Sequence, residues 1–358
     1  MSVNKINKAN SSLISTKYLL ISLGLSALGM ALVIYLTYSP GILEHLRLKR
    51  MPGLVIAFGI TLLRVWFVSA KIRFLAEGKL PWEASFRIAL TWDFASAVTP
   101  STIGGAPVAT YAMSREGMKL GKSTAIVLYG VLLDQFWYAV AVPVLLIAGI
   151  WYEVIPPEIG FVGAATMVLI YTSLLLYGGL LAYGLLVNPD SIKKVLKVVF
   201  RLPVLRKYEE RVSEEAETLE EYSHQLRKKS GKFIVKAFYL STAAWLCRVA
   251  IPVIVVLSLL PGDEVMLVFR SLSMNLASLV IPTPGGSGGV EGLFALFLGP
   301  LIERKAFIGL AVFVWRFITY YISIGLGIMA TTWYVNHKVE EIVHKTPESA
   351  EKMTETEQ

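Results

Sequence analysis

Apolar residues in this chain fall into blocks, separated by short polar or Pro/Gly-rich interruptions. The blocks at about 18–38, 53–75, 123–152, 160–186, 233–260 and 307–334 are long enough for a helix to cross a bilayer core, which needs roughly 20 apolar residues. Two further pieces are shorter and come in pairs, 82–98 with 106–113 and 265–281 with 290–298. The first pair is broken by Pro100, Gly104 and Gly105. The second is broken by Pro282, Pro284, Gly285, Gly286, Gly288 and Gly289. Broken backbone leaves N–H and C=O groups unpaired in hydrocarbon, so it sits outside the membrane or lines a polar cavity. This pattern predicts an all-α polytopic membrane protein with about six full transmembrane helices and two re-entrant helical hairpins. The one long polar segment, 188–232, carries Leu205, Tyr208, Val212, Ala216, Leu219, Tyr222 and Leu226 at spacings of three and four. That periodicity predicts an amphipathic helix, resting on the membrane surface, packing on the loops or mediating self-association.

The two broken stretches echo each other. An offset of 182 aligns Asp93 with Asn275, Ser96 with Ser278, Pro100 with Pro282, Ser101 with Thr283 and Gly104 with Gly286. Arg64 and Arg248 lie 184 apart in the block before each stretch, and Asp134 and Arg316 lie 182 apart in the block after it. The predicted unit is a spanning helix with a buried arginine, a hairpin, then a spanning helix with a buried charge. It recurs over 52–150 and 234–334. A linking helix at 151–187 and the cytoplasmic segment 188–232 separate the copies, within one membrane domain, 18–334. Counting crossings from a cytoplasmic N-terminal tail (1–17) makes the copies antiparallel and leaves the C-terminal tail (335–358) cytoplasmic too. The basic loop Arg47–Arg50 is the misfit, since basic loops favour the cytoplasm. Inverted repeats of this kind recur in transporters.

Composition agrees with a membrane class. Of 358 residues, 55% are hydrophobic and 17% charged, against about 25% charged in soluble domains. The net charge of +8 does not argue for nucleic acid, because basic residues flank apolar blocks, where headgroups and topology rules explain them. The first apolar block, which has no small-residue cleavage signal, reads as a retained anchor. Small residues in it (Gly24, Ser26, Gly29) and in 160–186 (Gly163, Ala164, Ala165, Gly178, Gly179) suggest close helix contacts. Lys71 and Arg73 are placed to snorkel to the headgroups. With a single cysteine, Cys247, and four scattered histidines, no disulfide framework or metal centre is expected.

The chemistry is expected from Arg64, Asp93, Asp134, Arg248, Asn275, Glu291 and Arg316. A charge in hydrocarbon costs several kcal/mol on mild scales, so it faces a partner or a wet cavity. One reading is internal pairing, Arg64 with Asp93 and Arg316 with Glu291. The other is a cavity whose arginines hold an anion, since guanidinium suits phosphate. No histidine accompanies the carboxylates, which removes a serine or metal hydrolase. The tips fit neither GxxxxGK[ST] nor GxGxxG. No cofactor is evident, and proton or ion coupling through the carboxylates stays open.

Pro282-Thr283-Pro284-Gly285-Gly286 with Gly288-Gly289-Val290-Glu291, and the looser Pro100–Gly105 copy, resemble the flippase-like membrane family that includes the transmembrane region of lysylphosphatidylglycerol synthases. The resemblance covers most of 18–334. It implies a plasma-membrane protein that moves a phospholipid or an anionic lipid-linked molecule between leaflets. Two-domain members carry a soluble aminoacyl-transferase after the membrane region. This chain has only a short tail there, so aminoacylation is not expected. A membrane enzyme acting on a lipid phosphate, and a non-catalytic partner of a membrane transferase or a homo-oligomer, are the competing expectations.

Overall fold

A computed structural model describes residues 16–38, 52–99, 104–188 and 209–334. Among these residues the regular structure is helical. Helix α1 is Thr16–Thr37, α2 Pro52–Leu75, α3 Trp82–Val98, α4 Gly105–Arg115 and α5 Leu120–Ala148. A short 3-10 turn, Pro157–Ile159, leads into α6, Gly160–Ala182, which ends in a π-helical turn, Tyr183–Val187. Then come α7 (Glu209–Arg227), α8 (Gly231–Leu259), α9 (Glu264–Ala277) and α10 (Gly289–Phe297). The last helix, α11, starts as Ala306–Arg316, passes through a π turn at Phe317–Tyr321, and continues to Tyr334. Six of these stretches are long and apolar enough to cross a membrane. They match the blocks expected from hydropathy, and the protein is a multi-pass membrane protein.

Helix starts follow local chemistry. Pro81 leads α3 in with an extended backbone. Ser230 and Asp263 cap α8 and α9 by accepting N–H bonds from Phe233 and Met266, which satisfies amide donors that a helix N-terminus otherwise leaves orphaned. The paired helices α3/α4 and α9/α10 have 17, 11, 14 and 9 residues. At 1.5 Å per residue none reaches the roughly 30 Å of a bilayer core.

Helices α2 and α8 are the closest-packed pair. Gly53, at the start of α2, lies against Ser258, near the end of α8. Lys71, near the end of α2, contacts Ser241, near the start of α8. The two therefore run antiparallel, with Arg64 and Arg248 level with each other midway. One apolar core gathers α5, α6 and α8–α11. A second gathers α2–α5, α7 and the start of α8. A small third cluster, Phe94, Ala97, Val98, Tyr320 and Ile324, joins the end of α3 to α11.

Two expectations change here. Lys71 does not snorkel: it is buried and its ammonium lies 2.8 Å from Asp134. It sits seven residues, two helical turns, after Arg64, which puts both on the same inward face. Of the glycines Gly163, Gly178 and Gly179 in α6, Gly178 alone lies close against another helix, at Gln135. Met167 and Ile170 of α6 reach the core, while much of its other face is outward, with Phe161 and Val162 88% and 77% exposed. The segment around α7 was expected to rest on the membrane surface, pack on the loops or mediate self-association. Leu219, Tyr222 and Leu226 are buried on the ends of α2 and α5, so this stripe is covered within the chain. Leu205, Tyr208, the side chains of Val212 and Ala216, the loop 47–50 and both tails lie outside the described residues.

Candidate functional site

Charged groups in the spanning helices meet at four places. On α2, Arg64 donates to Asp93 of α3 through both terminal nitrogens. Lys71 of α2 donates to Asp134 of α5, and the same carboxylate oxygen accepts from Ser241 and, at 3.0 Å, from Trp245, both on α8. Arg248 of α8 donates through Nε to the Asn275 side-chain oxygen on α9 at 3.2 Å. Finally, Arg316 of α11 donates through Nε to Glu291 of α10 at 2.8 Å, and Ser26 of α1 donates to the same oxygen at 2.6 Å.

The first and third places correspond. Arg64 with Asp93 and Arg248 with Asn275 are the residues that the sequence offset aligns, and each joins a spanning helix to the first arm of a broken pair. The difference is charge. Asp93 neutralises Arg64, whereas Asn275 leaves Arg248 cationic, with its amide anchored to the Ser271 carbonyl. Among the described residues no carboxylate lies within ion-pairing distance of Arg248. It keeps exposed surface although Arg64, Asp93 and Arg316 are close enough to act on it electrostatically. Tyr138 of α5 also lies within that field. Its hydroxyl is buried and has no hydrogen-bond partner, and its ring packs edge-on against Trp245, 4.9 Å away. A cation without a counter-ion and an unsatisfied hydroxyl thus converge on one spot. A buried orphan donor costs about 1–3 kcal/mol unless something pairs with it.

On the outer side of α2, that helix, α3 and α11 line an open apolar groove of about 500 Å³, with residues such as Leu63, Trp66, Phe86, Leu90 and Leu326. Its α2 lining, Gly59, Leu62, Leu63 and Trp66, recurs at three and four residues and so forms one helix face, whereas Arg64 points to the other side.

The fourth place is sealed. Glu291 is fully buried, and its second carboxylate oxygen has no partner. Arg316 also reaches Ser287 at 3.5 Å and lies 4.1 Å from the Tyr320 ring centroid. The second tip holds this cluster. Ser287 donates to the Tyr320 hydroxyl at 2.9 Å, and Thr283 donates to the Ser287 carbonyl at 2.8 Å. Pro284 is buried and Pro282 exposed. Gly285 has φ of +59°, and a Cβ there would come 2.7 Å from the Ala97 carbonyl oxygen, so the tip rests on the last turn of α3. Gly288 touches α1, because a Cβ on Gly29 would fall 2.7 Å from the Gly288 Cα. Gly286 and Gly289 turn back against Val290 and Ile281. In the first tip, Gly104 packs on Thr99, and Gly105 packs on Ser96 and Trp92. Pro100 lies outside the described residues.

Sequence reasoning missed several partners. Ser26, Ser241, Trp245, Tyr138, Ser287 and Tyr320 carry no charge and blend into apolar helices. Arg87 and Arg270 could have been found, since they lie 183 apart on the first arms. Arg87 forms a two-pronged bond to Glu116, just past α4. Arg270 donates to the carbonyls of Glu153 and, at 3.4 Å, of Phe297, the last residue of α10. In each pair an arginine in the first half of the first arm clips the far end of the second, so the arms lie side by side and antiparallel.

Helices in number and length for six crossings, with ion pairs inside, define a polytopic membrane protein with a charged interior. The chain matches the family of the lysylphosphatidylglycerol synthase TM region over residues 19–327 and belongs to it. It is also similar to a UPF0104 membrane protein of Archaeoglobus fulgidus, 26% identical over 299 residues, covering 78% of this chain and 86% of that one.

Proposed function

We propose that this protein moves a phospholipid or another anionic lipid-linked molecule between membrane leaflets. The observation that carries the reading is Arg248, a guanidinium without a counter-ion, beside the unpaired Tyr138 hydroxyl. Both would be satisfied by a phosphate oxygen. The apolar groove of α2, α3 and α11 suits an acyl or isoprenoid chain. In this reading the paired helices α3/α4 and α9/α10 are re-entrant hairpins belonging to two inverted repeats, 52–150 and 234–334. The antiparallel α2–α8 pair, the Arg64/Arg248 correspondence and the two arginine clips support that arrangement. Arg64, Asp93, Arg248 and Asn275 handle the headgroup. Lys71–Asp134 and Arg316–Glu291 hold the helices around it, and Glu291, with one oxygen unpartnered, is the group suited to proton or ion coupling.

The test is translocation of headgroup-labelled anionic lipids in liposomes containing the purified protein. Wild type moves them faster than protein-free liposomes. Arg248→Gln slows transport about tenfold or more, the scale of one charge-assisted contact. It leaves the unfolding temperature nearly unchanged, because no carboxylate loses its partner. Folded wild-type protein that moves no anionic lipid, or an Arg248→Gln variant that transports normally, overturns the reading.

A further inference from the structure

The second half of α2 bears three cations, and they are not treated alike. Arg64 and Lys71 each meet an aspartate. Arg73 does not. Among the described residues no carboxylate lies within ion-pairing distance of it, and its Nε is buried without an acceptor. Its one close partner is an aromatic ring: the guanidinium carbon lies 5.1 Å from the centroid of Trp82, at the start of α3. Trp82 in turn stacks on Trp66, with centroids 5.9 Å apart and planes 17° from parallel, and lies 6.0 Å from Phe86. Trp66 and Phe86 both line the apolar groove. Arg73, the two indoles and the groove wall are therefore continuous. Arg73 also follows Trp66 by seven residues, two helical turns, so the two share one face of α2.

The surroundings decide what fills this groove. It is open on the outer side of α2 and α11, both long and apolar enough to cross a membrane, so it faces lipid chains. Depth fits as well. Arg73 lies two residues from the end of α2, at headgroup level. The α2 wall of the groove, Trp66 to Gly59, lies seven to fourteen residues deeper, about 10–21 Å. One leaflet's half of the roughly 30 Å core is about 15 Å, so an acyl chain whose headgroup is at Arg73 ends within the groove. Charge selects the headgroup. A net-anionic phospholipid supplies the missing counter-ion to Arg73, whereas a zwitterionic one brings its own cation to the same place.

We propose that Arg73, the Trp66–Trp82 stack and the groove form a binding site for one anionic phospholipid, with its phosphate on Arg73 and an acyl chain along the groove. The site rests on the transport reading only in taking the groove as a place for a lipid chain, and it requires no translocation.

The test is lipid binding to the full chain in detergent micelles, followed by native mass spectrometry as phosphatidylglycerol or phosphatidylcholine is added. It is run in wild type and in Arg248→Gln, which separates binding at the interior arginine from binding here. Both proteins bind phosphatidylglycerol more tightly than phosphatidylcholine. Arg73→Gln loses about tenfold or more in phosphatidylglycerol affinity, the scale of one charge-assisted contact, and Arg73→Lys keeps most of it. Gly59→Leu weakens binding of both lipids, because its side chain grows into the groove, where a Cβ at this glycine meets nothing within 4 Å. Without added lipid, Arg73→Gln and Gly59→Leu unfold near the wild-type temperature, since neither change strands a charge. A purely packing role for Arg73 would instead lower the unfolding temperature of Arg73→Gln in lipid-free micelles and leave the lipid preference intact. Equal affinity for the two lipids in Arg248→Gln, an undiminished preference in Arg73→Gln, or full affinity in Gly59→Leu overturns the site. Failed translocation with these binding results in place overturns the transport reading and leaves the site standing.

Discussion

Arg316 illustrates how much a single residue carries. Its one carboxylate partner, Glu291, is fully buried, so removing either leaves the other charged and uncompensated. Breaking a buried pair from one side costs about 3–5 kcal/mol, while removing both charges costs far less. Arg316→Gln and Glu291→Gln are therefore each expected to lower the unfolding temperature strongly, and the double variant to recover much of the loss. A thermal double-mutant cycle in detergent checks this, and additive losses would mean that the pair contributes no coupling. Glu77, outside the membrane, responds to pH instead. The Lys229 ammonium, by donating to its carboxylate, holds the Glu77 pKa below the ordinary 4.5. A lowered carboxylate pKa contributes stability that is present above the unfolded value and lost as pH falls through the folded one. Wild type should thus lose more stability below pH 4.5 than Glu77→Gln, as measured by unfolding across an acid series. At this scale the sequence was half legible. The offset singled out Arg64, Arg248, Asp93 and Asn275, because charges in apolar blocks are rare. The sequence offered the Arg64–Asp93 pair as one of two readings, but could not tell that Asn275 leaves its arginine charged and open, nor that Tyr138 stands beside it.

At the scale of elements, hydropathy set the helix limits closely, since a bilayer demands a minimum apolar length and chain breaks need Pro or Gly. The paired short helices were legible for the same reason. Their mutual contact was not, because it depends on glycine surfaces meeting backbone. Gly285 tests it. Its φ of +59° and its 2.7 Å approach to the Ala97 carbonyl leave no room for a methyl group. Gly285→Ala is expected to destabilise by about 1–3 kcal/mol and to loosen the tip from α3. Gly292→Ala, where nothing lies within 4 Å, is the control and should be near neutral. Equal effects at the two positions would show that the contact is dispensable. The fate of α7 was open for a different reason: periodicity marks an apolar stripe but not what covers it. Its cover is the ends of α2 and α5. Burial there pushes the Tyr222 hydroxyl pKa upward, and nearby Glu77 adds to the shift.

For the whole molecule, the proposed inversion makes a claim about sides. Lys119, after α4, and Arg304, after α10, are both exposed, and they mark the outer ends of the two helix pairs. In a Cys247→Ser background, Lys119→Cys and Arg304→Cys should react with an impermeant thiol reagent from opposite faces of sealed vesicles. Labelling from the same face would sink the inverted arrangement while leaving family membership untouched. Orientation was the least legible property in the sequence, because the basic loop Arg47–Arg50 conflicts with the crossing count.

The bond from Ser26 to Glu291 spans 265 residues, and it bears on how the protein is made. Chain elongation runs at about 5–20 residues per second, so α1 waits in the membrane for tens of seconds before the second tip exists. The seat for that tip is laid down first and filled last. Arg316, the one ion-pair partner of Glu291 among the described residues, is made later still. The contact between the second tip and the first helix can therefore close only late in synthesis.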